Sequence, residues 1–334
     1  MALDKQTRSP EKMRRVQVES NLEGIDGTRK KISVLLEKDQ KARALAFFDI
    51  DETLASLSFL AKPSIHKLFP QEKDADELQR VNLLGYKLGT SFREHDRLIE
   101  IYEGGHREWI DPEKYRKERY EPNKEDIDGE EGMAHKRAAE SVAKYDVVAA
   151  QVTEEEYQQH PEKFEEVKIK PMLHLAELYQ RLGMPMVLMT ANPRQYALAV
   201  AKVLDLADMF IDIGTDETMK GGGKEKAMEY LIKVMESKGI KISLDRLIAV
   251  GDSIRGDVGS LAKVSGVTSP KGVLILHDQA AVEEIKKQIA SDSALQELVS
   301  AIDTEAIALN AVPLDSKGKP HLGSAVRREF LTRL

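Results

Sequence analysis

Two short apolar runs that stop abruptly at carboxylates are the most informative feature of the sequence. The first run stops at Asp49 and Asp51. The second stops just before Asp252, and Asp257 follows five residues later. Clustered carboxylates repel one another unless a cation lies between them, and oxygen atoms are the ligands that Mg²⁺ prefers. These aspartates therefore predict a site for a hard divalent cation.

A hydroxyl group and an ammonium group complete the set. Thr190 follows another apolar run, and Lys224 follows a run of glycines at the start of a predicted helix. Lys220 and Lys226 are close in sequence, but Lys224 is preferred because it comes directly after the glycines and begins the helix. With the backbone N–H groups of the turn after the first run, these side chains can hold phosphoryl oxygens as charge develops on them.

Such residue types suit phosphoryl transfer. A carboxylate can attack phosphorus and form an aspartyl phosphate. A second carboxyl group nearby can protonate the leaving oxygen and then activate water. A cation would screen the attacking carboxylate from the anionic substrate.

The elements that must position these residues alternate between strands and helices, which predicts an α/β fold with a doubly wound parallel sheet. Ligands bind such sheets in the crevice at the carboxyl ends of the strands, where the polar residues lie. The predicted strands are 44–48, 186–189, 209–213, 247–250 and 272–276, and the predicted helices are 172–182, 194–204 and 224–238.

The rest of the chain has a different pattern. The segment from about residue 62 to 165 is rich in charge clusters and has helical rather than strand periodicity, so a mostly helical insertion is expected there. The segment after the last predicted strand is also expected to be helical. These patterns divide the chain into an N-terminal helical arm (1–43), an α/β core that carries the candidate site (44–61 and 166–278), a mostly helical insertion (62–165) and a C-terminal helical extension (279–334).

Composition limits the classes of function. The chain has 334 residues, a formal net charge of −7 and no cysteine. Thiolate catalysis, thiolate-bound zinc and disulfides are therefore excluded. The negative charge disfavours nucleic acid or an anionic membrane as the main partner. The polar start of the chain does not resemble a secretory signal, and no apolar run approaches the ~20 residues that span a bilayer, so a cytoplasmic protein is expected.

The order and surroundings of these residues resemble the four motifs of the haloacid dehalogenase (HAD) superfamily. The motifs are Asp-Ile-Asp-Glu-Thr beginning at Asp49, then Thr190, then Lys224, and finally Gly-Asp-Ser followed by Asp257. The resemblance covers residues 44–60 and about 168–278. It implies a Rossmann-like core with a cap domain inserted after the first motif, and the long segment between Thr53 and Pro171 fits such a cap.

The resemblance also implies roles for individual residues. Asp49 would be the nucleophile and a metal ligand. Asp51 would be the general acid and base, and its backbone carbonyl would also bind the metal. Asp252 would bind the metal directly, and Asp257 would bind it through water or serve as a partner for Lys224.

The activity implied by the resemblance is that of a Mg²⁺-dependent phosphohydrolase. It would cleave a small phosphorylated metabolite through an aspartyl phosphate, with Thr190 and Lys224 binding the substrate phosphate. Family members that cleave carbon–halogen bonds lack the acid that Asp51 would supply, so dehalogenation is disfavoured. A phosphomutase with the same motifs and a non-catalytic binding protein with this fold stay open as alternatives. A phosphatase for macromolecules is disfavoured, because a cap hinders large substrates.

Overall fold

The computed structural model describes most of the predicted core and parts of the rest of the chain. The predicted N-terminal arm lies outside the described residues, as do the middle of the predicted cap and most of the last part of the chain. The described residues are 43–68, 146–219, 223–312 and 331–333.

The described strands form one mostly parallel sheet. They are β1 (Arg43–Asp49), β2 (Met186–Met189), β3 (Asp212–Gly214), β4 (Ile242–Gly251), β5 (Lys271–Leu276), β6 (Asp303–Ala308) and β7 (Leu331–Arg333). Their order across the sheet is β3-β2-β1-β4-β5-β6-β7. The first six pair in parallel, and β7 pairs with β6 in the antiparallel sense. The predicted α/β class with a doubly wound parallel sheet is confirmed.

Helices connect the parallel strands. They are α1 (Ala61–Leu68), α2 (146–159), α3 (Pro161–Val167), α4 (Lys170–Arg181), α5 (Arg194–Val203), α6 (Asp216–Met219), α7 (Lys224–Ser237), α8 (Gly259–Ala262), α9 (Gln279–Ser291) and α10 (Ser293–Ser300). Among the described residues, no helix is both long enough and apolar enough to cross a bilayer. The cytoplasmic location expected from the sequence stays a prediction.

The described residues separate into two compact units. One unit takes those of Met1–Ser56, Glu162–Asn192 and Ala201–Leu334, and it contains the whole sheet. The other takes those of Leu57–Pro161 and Pro193–Val200. Its described part is helical, but the predicted domain boundaries stay a prediction because the middle of the predicted cap lies outside the described residues.

Strand β1 is buried on both faces, which explains its continuous apolar sequence. Successive side chains of a strand point to opposite faces. Leu45 and Phe47 join a buried cluster that includes Leu231 of α7. Phe48 lies on the opposite face, where its ring centroid is 5.5 Å from that of Phe210 in an edge-to-face arrangement. Each fully buried side chain of this size contributes about 1.5–3 kcal/mol to folding, so β1 is fixed firmly in the middle of the sheet.

The two helices α4 and α7, which precede the central strands β2 and β4, begin and end close to the predicted positions. Pro171 lies in the first turn of α4, and Gly183 beyond its end has a φ of 70°. Helix α7 begins at Lys224, and Gly239 beyond its end has a φ of 85°. Glycine takes this left-handed conformation at little cost, which is why it terminates helices so often.

Three sequence-based expectations about strands are wrong. Strand β4 covers Ile242–Gly251 instead of 247–250, because most of its first part is half-buried or exposed and an apolar pattern marks only the buried part. Strand β3 covers Asp212–Gly214 instead of 209–213, because the chain before it forms a 3₁₀ turn at Leu206–Asp208. The helical structure expected for the C-terminal extension (279–334) is interrupted by β6 at Asp303–Ala308. Aspartate, glutamate and alanine have little strand preference of their own, but six residue pairs of β6 with β5 satisfy its backbone and override that preference.

Candidate active site

The chemistry-bearing residues meet at the carboxyl edge of the sheet, around the central strand β1. Asp49 is the last residue of β1 and pairs in register with Met189, the last residue of β2, so Thr190 continues from the neighbouring strand end. On the other side of β1, β4 ends at Gly251 and Asp252 follows it. The chain order reverses at β1, and such a switch point is where doubly wound sheets bind ligands.

A tight turn carries the chain from Asp49 to Asp51 and back into the core. The carbonyl of Ile50 accepts hydrogen bonds from the N–H groups of Leu54 at 2.8 Å and Ala55 at 3.1 Å. Glu52 has a φ of 54°, the left-handed conformation that a residue with a side chain seldom takes. Such a conformation costs about 1–3 kcal/mol and persists only where the surroundings fix it, which is common at functional sites.

Asp49 is buried and held from two sides. Lys224 donates to its Oδ1 from the start of α7, and the hydroxyl of Thr53 donates to its Oδ2 at 3.4 Å. Burial raises the pKa of Asp49 well above its usual value, and Lys224 opposes that effect. The carboxylate therefore depends on positive charge beside it to stay ionised.

Lys224 forms ion pairs with two aspartates. Besides Asp49, its Nζ contacts Oδ1 of Asp257 at 2.5 Å. Oδ2 of Asp257 accepts the backbone N–H of Ser253 at 2.8 Å, so both oxygens of this carboxylate are used. Burial alone would lower the pKa of Lys224, but the charges of Asp257 and Asp49 outweigh it and raise the pKa. The ammonium group therefore stays charged.

Three carboxylates could share a cation here. Asp49, Asp252 and Asp257 each place one oxygen within 4.8 Å of the others. Burial, followed by the charge of Asp257, raises the pKa of Asp252 to about 7. One lysine thus lies among three carboxyl groups, so their negative charge is not fully balanced when all three are ionised. Hard oxygen donors with unbalanced charge fit Mg²⁺, so the residues present fit the metal that the sequence predicts.

Asp51 has a hydrogen-bond partner that the three carboxylates do not share. Its Oδ2 accepts a hydrogen bond from Nδ2 of Asn192 at 2.6 Å. Burial raises the pKa of Asp51 to about 6. A carboxyl group with such a pKa can be protonated or ionised near neutral pH, which general acid–base chemistry requires.

Thr190 is buried directly after β2 and is oriented by its neighbours. Its backbone N–H donates to the carbonyl of Gly214 at 2.9 Å. Its Oγ1 accepts the backbone N–H of Asn192 at 3.1 Å. Because the oxygen already accepts a bond, the hydroxyl hydrogen is directed elsewhere and can be donated to a ligand.

The structure brings together the predicted side chains Asp49, Lys224, Asp252 and Asp257. It also distinguishes among the candidate lysines, since Lys226 is exposed and pairs with Glu229 at 3.2 Å on the surface of α7. Lys220 lies outside the described residues.

Three contributors were not found from the sequence. Asn192 holds Asp51, Thr53 donates to Asp49, and the backbone of Ser253 donates to Asp257. Thr53 and Ser253 lie within the same motifs as the candidate aspartates. Their short distance in sequence from Asp49 and Asp252 could therefore have indicated that they contribute to the site. The position of Asn192, two residues after Thr190 and directly before a proline, was the signal for the third.

Comparison with protein families agrees with this arrangement. The sequence matches the model of the haloacid dehalogenase-like hydrolases over residues 44–264, which is more than half of the chain. This protein therefore belongs to that family of hydrolases. No curated protein matches the sequence.

The solved structures that match the chain are distant in sequence. YfnB from Bacillus subtilis, assigned as a HAD-hydrolase and bound to magnesium, is 13% identical with a TM-score of 0.43, and the match covers 75% of this chain and 100% of that chain. A protein from Clostridium difficile assigned as a phosphatase is 17% identical, with a TM-score of 0.41 and coverage of 74% and 91%. One from Thermotoga maritima assigned as a β-phosphoglucomutase has the same identity and TM-score, with coverage of 80% and 94%. Similarity at this level does not bear on the substrate.

Proposed function

We propose that this protein is a Mg²⁺-dependent phosphohydrolase that cleaves a small phosphorylated metabolite through an aspartyl phosphate on Asp49. The observation that supports the proposal is that the carboxyl groups at one edge of the sheet have different hydrogen-bond and ion-pair partners. Asp49 contacts Lys224 within the three-carboxylate cluster, whereas Asp51 is hydrogen-bonded to Asn192. A nucleophile and an acid must be separate groups with different surroundings, and this arrangement supplies both.

The first half of the reaction uses Asp49 and Asp51. A carboxylate oxygen of Asp49 attacks phosphorus, so that an O–P bond to Asp49 forms while the bond to the leaving oxygen breaks. Asp51 gives its proton to that leaving oxygen. The hydroxyl of Thr190 and the ammonium of Lys224 bind the phosphoryl oxygens and stabilise the charge that develops on them.

The second half regenerates the carboxylate. Asp51, now ionised, takes a proton from a water molecule, and the water oxygen attacks phosphorus. The bond between phosphorus and Asp49 breaks, inorganic phosphate leaves, and Asp51 is protonated again. Each residue thus returns to its starting state.

The metal would be held by carboxylates that the structure describes. Asp49 and Asp252 would supply side-chain oxygens directly, Asp257 would bind the metal through water or hold Lys224, and the sequence motif adds the backbone carbonyl of Asp51. When bound, Mg²⁺ supplies positive charge that reduces the repulsion between the carboxylate nucleophile and the anionic phosphate. The positive charge of Lys224 reduces the same repulsion.

The size of the substrate is inferred from the length of the segment between Thr53 and Pro171. A cap in that place favours a small phosphorylated metabolite over a protein or nucleic acid, because closure excludes bulky groups. This part of the proposal depends on residues outside those that the structure describes, so it rests on the sequence alone.

A panel of phosphorylated metabolites together with p-nitrophenyl phosphate tests the proposal. We expect phosphate release with Mg²⁺, none with excess chelator, and none from a folded Asp49→Asn variant. A protein that binds Mg²⁺ but releases no phosphate from any substrate would be a binding protein with this fold. Isomerised product that requires a bisphosphorylated activator, with little free phosphate, would instead identify a phosphomutase.

A further inference from the structure

Asn192 lies in a hydrogen-bond network that joins the ends of three neighbouring strands. Its Nδ2 donates to Oδ2 of Asp51 at 2.6 Å, beyond the end of β1. Its backbone N–H donates to Oγ1 of Thr190 at 3.1 Å, beyond the end of β2. Its carbonyl accepts the backbone N–H of Asp216 at 3.3 Å, beyond the end of β3. One residue thus contacts both the proposed acid and the proposed phosphate-binding hydroxyl.

The backbone around Asn192 is anchored on both sides. Pro193 follows it and is buried, and a proline restricts the preceding residue to extended conformations. Two residues earlier, the N–H of Thr190 is bonded to the carbonyl of Gly214 at 2.9 Å. A side chain on a backbone fixed in this way can hold its partner in one orientation.

The amide of Asn192 determines which oxygen of Asp51 is available for chemistry. An amide nitrogen only donates hydrogen bonds, so Oδ2 of Asp51 is the acceptor in this pair. The acid form of Asp51 then carries its proton on Oδ1. That oxygen remains to give its proton to the leaving group.

We propose that Asn192 is a positioning residue for the general acid, holding Asp51 so that Oδ1 delivers its proton to the leaving-group oxygen. The inference rests on the proposed function, because it requires Asp51 to act as the acid. The proton moves from Oδ1 to the leaving oxygen while the bond from Asp49 to phosphorus forms and the bond to the leaving oxygen breaks. Asn192 takes part in this step only through Asp51.

A leaving-group series tests the proposal. Asn192→Ala and Asn192→Ser are compared with the wild type on p-nitrophenyl phosphate, phenyl phosphate and an alkyl phosphate, after melting curves show which variants are folded. Poor leaving groups need the proton most. We expect kcat/KM to fall by about 10-fold or more for the alkyl phosphate and by only about 3-fold or less for p-nitrophenyl phosphate, a part of the ~10²–10⁴-fold that a general acid contributes.

Two controls separate positioning from a structural effect. Gln195→Ala removes an exposed amide from the first turn of α5 and should leave the whole series unchanged. In an Asp51→Asn background, Asn192→Ala should add no further dependence on the leaving group, because residues that act through one another are not additive.

Three results would overturn the proposal: an equal loss across the series, no loss at all, or a fully additive effect in the double variant. A wild-type protein that releases phosphate from none of these esters contradicts the proposed function itself. The two failures are therefore distinguishable, since the first requires an active wild type.

Discussion

Gly251 and Asp257 approach so closely that a Cβ on Gly251 would lie 2.3 Å from the Cβ of Asp257. Gly251 ends β4, and Asp257 lies in the π turn Ile254–Val258 that folds back over that strand end. No real Cβ tolerates such a distance. The absence of a side chain at Gly251 is therefore what lets Asp257 reach Lys224 at 2.5 Å.

This contact predicts the effect of Gly251→Ala. The added methyl group must displace Asp257, which costs about 1–3 kcal/mol in unfolding free energy, as overpacking usually does. Lys224 would lose a partner, so we also expect kcat with p-nitrophenyl phosphate to fall by at least about 10-fold, the effect of about 1.4 kcal/mol on the barrier. Urea unfolding and steady-state kinetics measure the two quantities.

Gly183→Ala is the matched control for that experiment. Gly183 has a φ of 70° but nothing within 4 Å of an added Cβ, so its substitution strains the backbone without displacing a neighbour. We expect it to lower stability and leave kcat unchanged. If Gly251→Ala behaved in the same way, with lower stability and an unchanged kcat, the position of Asp257 would not matter for turnover.

The ion pairs of Lys224 give a second prediction. Lys224→Met leaves Asp49 and Asp257 without their shared cation in a buried place, and removal of one partner from a buried pair costs about 3–5 kcal/mol. We expect lower stability and a large loss of turnover. Lys226→Met removes a lysine two positions away whose partner, Glu229, is on the surface, and it should change neither quantity. Equal effects of the two substitutions in unfolding and kinetic assays would contradict the assigned role.

The raised pKa values of Asp51 and Asp252 predict how stability depends on pH when Mg²⁺ is removed. Both values in the folded protein, about 6 and about 7, lie above the usual 3.8. A carboxyl group whose pKa is raised by folding contributes stability below its usual pKa, and this contribution is lost as the pH rises through the raised value. We therefore expect the chelated protein to have a lower Tm at pH 8 than at pH 5.5.

Mg²⁺ should reverse this trend, because it binds the ionised carboxylates. The increase in Tm on adding Mg²⁺ should be larger at pH 8 than at pH 5.5. Asp252→Asn should reduce both the pH dependence and the response to Mg²⁺. A chelated protein that is equally stable at the two pH values would show that these carboxyl groups are not perturbed as described.

The sequence predicted the centre of the sheet better than its margins. Strands β1 and β2 and the last part of β4 are buried, so their apolar runs and the aspartates at the ends of β1 and β4 could be recognised without any structure. Strand β6 could not, because Asp303 to Ala308 has little strand preference and owes its conformation to pairing with β5. The local pattern of apolar residues predicts which strands are buried. It does not predict strand pairing with residues from elsewhere in the chain.

The same limit applied to the site. Asp49, Asp252 and Lys224 begin or follow predictable elements, and the sheet brings them together. Asn192 contacts Asp51 across 141 positions of sequence, and only the folded loop after β2 creates that pair. The spacing of residues along the sequence cannot identify a residue that acts by orienting another, because only the tertiary structure brings the two together.

The most direct test of the central claim is chemical trapping of the intermediate. Protein turning over p-nitrophenyl phosphate with Mg²⁺ is quenched in acid and reduced with borohydride, which converts an aspartyl phosphate to homoserine, and peptides are then sequenced by mass spectrometry. The Asp51→Asn variant is run in parallel, since loss of the base should slow hydrolysis of the intermediate and raise its level. We expect homoserine at position 49 in both proteins and none in Asp49→Asn. Homoserine at another aspartate, or none in a protein that still releases phosphate, would contradict the account.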